Sequence, residues 1–508
     1  MAFQCVWQQI QPEQLVAQGG TQAAVAGTIA LEGKVDRVLM VTGKVEAGAA
    51  QAGKDEVTLE GYAFFTAIYV CDGEIKSARW SSRFSHPQPL PGVRPDNRAQ
   101  VEMVMEQVEP GQAESGLLPV EGMIHMNTTV WADHEVQVVE ALDGLPAADQ
   151  RAQTLSFRQL AANQEHREMM HQEAELEGRL APVDRILDQD AYIQVLSAQA
   201  MEGAISAQAQ LHVHLIYISD EAEPALEQAH LTLPLELEME APGAAEGMQA
   251  ELTAYVGDLT VEVRENEAGE QRVLLLDMMV GTRGMAWAAK EQRVLTDALC
   301  PGMRLVMGTA AVTLCRRVDQ GQVQRVLKET LPLPENLAEL RNVLWVDAQA
   351  LITDCASQAG SVSCEGVLQA TVVALLNEDQ SPVAFPLEMP LSLSVPVAGA
   401  SEETRCSWTV RVEEAMVQMA GADQVELRLV LKAEAAVYAC AQVSLVVQVA
   451  EGEAAPLPQG IQIIFVRPGQ TLWDVARDTA QSIDSIRRCN PELGEELTGT
   501  ERLLLFGG

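Results

Sequence analysis

Apolar and polar residues alternate over much of the chain. Leu211 to Tyr217 reads Leu-His-Val-His-Leu-Ile-Tyr, and Val425 to Val430 reads Val-Glu-Leu-Arg-Leu-Val. A period of two sends every second side chain to one sheet face, the pattern of half-buried antiparallel strands. Val443 to Val449 is equally rich in Val and Leu, and Gly, Pro, Asn and Asp punctuate the runs. One stretch, Leu160 to Glu177, has a composition compatible with a helix.

The strands recur in a fixed order. Val38-Leu39 follows Val35-Asp36-Arg37, and Ile186-Leu187 follows Val183-Asp184-Arg185. The offset, 186 − 38 = 148, also separates Ile68-Tyr69-Val70 from Ile216-Tyr217-Ile218. A third copy carries Val343-Leu344 before Trp345-Val346-Asp347-Ala348, which echoes Asp190-Ala191. Proline-marked strands recur at Pro87, Pro234 and Pro390, with turns after them at Pro91-Gly92, Pro242-Gly243 and Pro396 to Gly399. Each copy closes on a strand with one aromatic: Trp131, Trp287 and Tyr438. A repeat this long suits tandem β domains, not a solenoid. The expected fold is mostly β, with tandem antiparallel β-sandwich-like domains over 1–149, 150–310 and 311–450. An acidic, proline-containing linker over 451–460 leads to a small module over 461–508.

That last segment changes period. Ile461-Gln-Ile-Ile-Phe-Val466 reads as a strand, and Pro468-Gly469 as a turn. Thr471 is placed to cap a helix, with Asp474 three residues on. Leu472, Val475 and Ala476 then share one face. Ser482 caps a second helix that buries Ile483 and Ile486 and ends at Asn490-Pro491. Arg502 to Phe506 closes a βααβ unit. Gly469-Gln470-Thr471-Leu472-Trp473 and Asn490-Pro491 resemble the signature of LysM modules. Gln470 stands where that family usually has Asp, and Thr479-Ala480 where it usually has Tyr-Gly. The resemblance implies a groove for N-acetylglucosamine polymers between the first turn and the end of the second helix.

Three β units followed by this module resemble the SipL-like family of clostridial spore-coat morphogenetic proteins, which combine SPOCS domains with a C-terminal LysM. The repeated openings, the Ile-Tyr strands and the proline-marked strands carry that resemblance. It implies a non-enzymatic scaffold at the forespore surface, in the mother-cell cytoplasm. It also implies recruitment of the coat-basement ATPase SpoIVA through the LysM-like module. The residues that would contact a protein or glycan partner are Ile461, Gly469, Gln470, Thr471, Leu472, Trp473, Asn490 and Pro491. Trp473 follows the helix cap on the side away from Leu472, Val475 and Ala476. Its sequence position leaves partner contact and plain packing both open. The alternative reading is a peptidoglycan-binding protein with β spacers. A weaker third reading, a wall hydrolase, needs a clustered acid pair or a metal triad.

Composition narrows the choice. The 508 residues carry 34 basic and 72 acidic side chains, a net charge of −38. Nucleic-acid binding and docking on an anionic membrane both need clustered Lys and Arg, so neither is expected. Apolar residues make up 47%, far too many for a disordered acidic tail. No run approaches the ~18 apolar residues of a membrane span, and the N-terminus lacks an export signal. The nine cysteines are scattered without a C-x-x-C pair, the usage expected of buried thiols in a reducing cytosol.

No cofactor is expected, because the chemical near-motifs fail on spacing, residue type or ligand number. Gly48 to Asp55 has P-loop spacing, but Asp55 stands where Mg²⁺ needs Ser or Thr, and no helix follows. His166 and His171 are five apart, off the i, i+4 spacing of paired metal ligands on a helix. His212 and His214 share a strand face, but no third ligand is identifiable, so paired structural histidines are the better reading. No G-x-S-x-G elbow is present. Trp131, Trp287, Tyr438, Trp345 and Trp408 are read as packing residues.

Overall fold

The protein is described from a computed structural model, which covers residues 3–133, 135–144, 149–221, 225–334, 337, 340–377, 382–421, 423–454, 460–494, 497–499 and 501–507. The first unit holds β1 (Gln4–Ile10), β2 (Glu13–Ala30), β3 (Val35–Ala52), β4 (Glu56–Cys71), β5 (Glu74–Pro89), β6 (Arg98–Pro110), β7 (Leu117–Asp133) and β8 (Val136–Asp143). The second holds β9 (Asp149–Glu175), β10 (Val183–Met201), β11 (Ala204–Ser219), β12 (Leu226–Glu240), β13 (Gln249–Glu265) and β14 (Gln271–Leu299). The third holds β15 (Met303–Pro332), β16 (Leu340–Gln358), β17 (Ser361–Leu376), β18 (Pro382–Pro396), β19 (Arg405–Met419) and β20 (Gln424–Ala454). A βααβ module follows: β21 (Gly460–Phe465), α1 (Leu472–Thr479), α2 (Ile483–Cys489) and β22 (Arg502–Gly507).

Each unit is a sandwich of two three-stranded antiparallel sheets. An inner meander (β3-β4-β5, β10-β11-β12, β16-β17-β18) packs on an outer sheet made of the unit's first and last two long strands (β2-β7-β6, β9-β14-β13, β15-β20-β19). Each sandwich has its own apolar core, such as Val57, Leu59, Phe65, Ile124 and Met126 in the first. Period two explains the layering, since alternate residues of both sheets meet between them. The expected mostly β, sandwich-like architecture with a small βααβ end is the observed one.

The outer strands outrun the sandwiches. In the second and third units β9, β14, β15 and β20 continue without a break into a common base. In the first unit Pro12 interrupts the corresponding strand, leaving β1 paired with β8. The base buries Ile10, Val138, Phe157, Val294, Val312 and Leu445, drawn from all three units. Because these strands are continuous, the boundary drawn at 311 lies inside β15 and the one at 450 inside β20. Of the expected linker, residues 451–454 are strand, and residues 455–459 lie outside the described residues.

The segment Leu160 to Glu177 is not helical. It is strand β9 as far as Glu175, paired residue by residue with β14 from Leu160↔Trp287 to Glu175↔Val273. Its helix-forming composition yields to a long partner strand whose every second residue is buried. Gly48 to Asp55 forms the β3–β4 hairpin, with Asp55 at a φ of 59°. The expectation for the cysteines is corrected in part. Cys315 and Cys440, opposite each other on β15 and β20, form a disulfide, as do Cys355 and Cys364 on β16 and β17. Cross-strand opposition brings their Cα atoms to 4.1 and 4.3 Å, which spacing in sequence cannot reveal.

The three closing aromatics converge. Arg158 of β9 lies over Trp287 at 4.6 Å, Trp131 at 5.6 Å and Tyr438 at 5.7 Å. Its guanidinium pairs with Glu13 at 2.5 Å. Glu13 also pairs with Arg98 and accepts from the Trp287 indole at 3.3 Å. Glu13 is 1% exposed, so removing a partner leaves a buried carboxylate less well compensated. Replacing Arg158 by Met therefore costs about 3–5 kcal/mol in chemical denaturation. Adding Glu13→Gln recovers a large part of that loss. Equal stability of R158M and wild type would show that the belt does not hold the units together.

Candidate functional site

The C-terminal module is built by local signals. Arg467 to Gln470 turns the chain, with Gly469 at a φ of 81° that favours glycine. Thr471 Oγ1 accepts from the Asp474 amide at 3.2 Å, and Asp474 accepts from the Thr471 amide at 2.9 Å, a reciprocal cap. The Thr471 hydroxyl, with its backbone N–H, holds the Asp474 carboxyl below its usual range. Helix α1 buries Leu472, Trp473, Val475 and Ala476, and α2 buries Ile486. The Asn490 amide donates to the carbonyls of Ile486 (2.8 Å) and Leu504 (2.7 Å) and accepts from the Leu504 N–H (2.7 Å). Asn490 thus ties the end of α2 to β22 from a buried position.

β21 and β22 pair antiparallel, with Ile461↔Phe506, Ile463↔Leu504 and Phe465↔Arg502. Leu503 and Leu505 face the helices and are fully buried. The opposite face carries Ile461 (66% exposed), Ile463 (59%), Phe465 (64%), Leu504 (38%) and Phe506 (48%). Five large apolar side chains on a two-stranded sheet form a continuous patch of the kind that marks an interaction surface.

The residues singled out from sequence are therefore dispersed. Ile461 lies on this face. Gly469, Thr471 and Pro491 are exposed on the loops, and Gln470 bonds to the Arg467 amide and Asp478. Leu472 and Asn490 are buried. Trp473 is 3% exposed and packed inside the molecule. Ile463, Phe465, Leu504 and Phe506 escaped the sequence reading. The available signal was that Ile463-Ile464-Phe465 and Leu503 to Phe506 are unbroken apolar runs, so both faces of each strand carry apolar side chains.

A second feature lies where the three units meet. Leu39, Leu187 and Leu344 join Ile68, Ile216, Val373 and their neighbours in one shared apolar seam. Beside it opens a cavity of about 920 Å³, whose lining includes strands from all three units. Three ion pairs lie in its lining: Lys44 with Asp190 at 3.2 Å, Arg79 with Asp188 at 3.0 Å, and Arg283 with Glu165. His212 stacks on Tyr192 (4.6 Å) and on His230 (5.5 Å), and its nitrogens bond to Gln194 and Thr232 at 3.2 Å. His214 bonds to Gln228. Both ring nitrogens of His212 are thus engaged by protein groups, and no cluster of three or more metal-ligand side chains is found among the described residues.

Residues 34–110 and 182–264 match the family model of the SipL SPOCS domain. The chain carries SipL-like SPOCS domains. The two matches run from the inner meander through the next outer strand of units one and two, β3 to β6 and β10 to β13. The third sandwich repeats their topology. The match makes the chain sporulation-related, and the SPOCS family is not a known enzyme family. No curated protein and no solved structure matches the chain. No described helix is long and apolar enough to cross a membrane.

Burial is the main cause that lowers His212, His214 and His230 below the usual histidine range. Groups depressed in the fold stay neutral there while the unfolded chain takes up protons. Their contribution is complete above ~6.5 and is lost as pH falls below it. Burial raises Glu46, Glu102 and Asp347, which act in the opposite sense as acid is added. The comparison with a His212→Gln, His230→Gln variant separates the two. Its melting temperature falls less than that of wild type between about pH 7 and pH 5.5. Parallel pH curves would exclude the histidines as the cause.

Proposed function

We propose that the protein is a non-enzymatic scaffold of spore-envelope assembly. In this reading the three sandwiches form a rigid body, and the C-terminal module, LysM-like in its βααβ order, captures a coat-basement ATPase of the SpoIVA kind. Its place of action is the mother-cell face of the forespore.

The exposed face of β21 and β22 is the observation that supports this reading most. An apolar sheet face with two open strand edges fits a protein partner, which supplies both apolar contacts and backbone hydrogen bonds. A polysaccharide could stack on Phe465 and Phe506 but offers no backbone hydrogen bonds to the strand edges. The glycan reading draws on the other side of the module, where Gly469, Thr471 and Pro491 are exposed.

The two readings separate cleanly. An Ile461→Asp, Phe506→Asp variant of the full chain loses capture of the purified ATPase by more than about tenfold. Its melting temperature stays within a few degrees of wild type, because both side chains already face solvent. Undiminished capture, or binding of N-acetylglucosamine oligomers that this variant leaves intact, would move the assignment to the loop side.

A further inference from the structure

We infer that the C-terminal module is clasped in one orientation on the stem of the second unit, and that Trp473 is the pin of that clasp. The Trp473 indole N–H donates to Asp297 Oδ2 at 2.6 Å, at the far end of β14. The Arg151 guanidinium, at the start of β9, lies 4.5 Å above the indole ring. Arg477, one turn along α1, reaches the same Asp297 oxygen at 3.6 Å. A second site of attachment sits at the other helix. Asp149 Oδ2 accepts the Ile483 N–H of α2 at 2.7 Å. The Gly302 amide donates to the Ala480 carbonyl between the helices at 3.2 Å. Leu299 of β14 enters the apolar core of the module.

These contacts share a logic. All of them use the helical side of the module, and all but one of the stem groups come from the paired ends of β9 and β14. Asp297 meets Arg477 and an indole donor, with Arg151 as its cross-strand neighbour, in a chain short of basic residues. Charge-assisted hydrogen bonds of this kind are directional, so they fix rotation as well as distance. The seat turns the apolar face of β21 and β22 outward and away from the contacts it makes. Trp473 is therefore a positioning residue, and substitutions there act by unseating the module. The inference concerns docking within the chain and stands apart from the identity of any partner.

Hydrogen exchange on the full-length chain tests it directly. Asp149→Ala should speed exchange of the Ile483 amide by about tenfold, and Asp297→Ala should do the same for the Trp473 indole. The Asp474 and Ser485 amides, bonded to the module's own Thr471 and Ser482, should keep their protection. Small-angle scattering of the double variant should show a broader distribution of module positions. Wild-type exchange at Ile483 and Trp473 in the variants would overturn the clasp. Loss of protection at Asp474 and Ser485 as well would overturn the positioning role, because those stem residues would then be needed for the module to fold.

Discussion

One buried ion pair governs the assembly. Three sandwiches drawn from a single chain need a joint, and the joint is Glu13 and Arg158 among Trp131, Trp287 and Tyr438. A buried carboxylate is costly unless paired, and this one has two arginines and an indole donor. Each ring adds a favourable contact of about 0.5–2 kcal/mol to the same guanidinium. The partners come from all three units, so the geometry is satisfied only when all three are in place. The apolar base and seam also join the three units, and this network adds directional contacts to them.

The repeat motif found in the sequence has a physical meaning. In Val38-Leu39, Ile186-Leu187 and Val343-Leu344 the second residue falls at a β-bulge, where register shifts between Val38 and Met40, Ile186 and Asp188, and Val343 and Trp345. A bulge turns two consecutive residues to the same side or splays them between faces. Here the first packs in its own sandwich core and the second enters the seam between units. Ile68 and Ile216 enter that seam, while Tyr69 and Tyr217 point into their own cores. The repeat was legible because one short signature builds both the sandwich and its packing against its neighbours.

Other features were illegible for the same kind of reason. The base depends on strands running past their sandwiches, and periodicity cannot show where one strand stops pairing with one neighbour and starts on another. Leu160 to Glu177 looked compatible with a helix because it is rich in Ala, Gln, Glu and Met, and composition alone cannot supply the partner strand. Cys315 and Cys440 are 125 residues apart, so their opposition follows only from the β15–β20 register. The side chain of Trp345 lies outside the described residues, and the packing role read for it rests on the sequence alone.

The module shows where local and global information part. Its caps, its turn and its helical core follow from residues within a few positions of one another, and the sequence reading places them correctly. Trp473 depends on Asp297 and Arg151, more than 170 residues away in the chain. Its partners belong to the stem, so no reading of the module alone could choose between packing and partner contact. Ile461 and its four neighbours show the reverse. Among the described residues none buries them, although Leu503 and Leu505 of β22 are fully buried. A module held by one side and bare on the other suits a fixed platform. An outward apolar face costs solubility, which the net charge of −38 spread along the chain offsets.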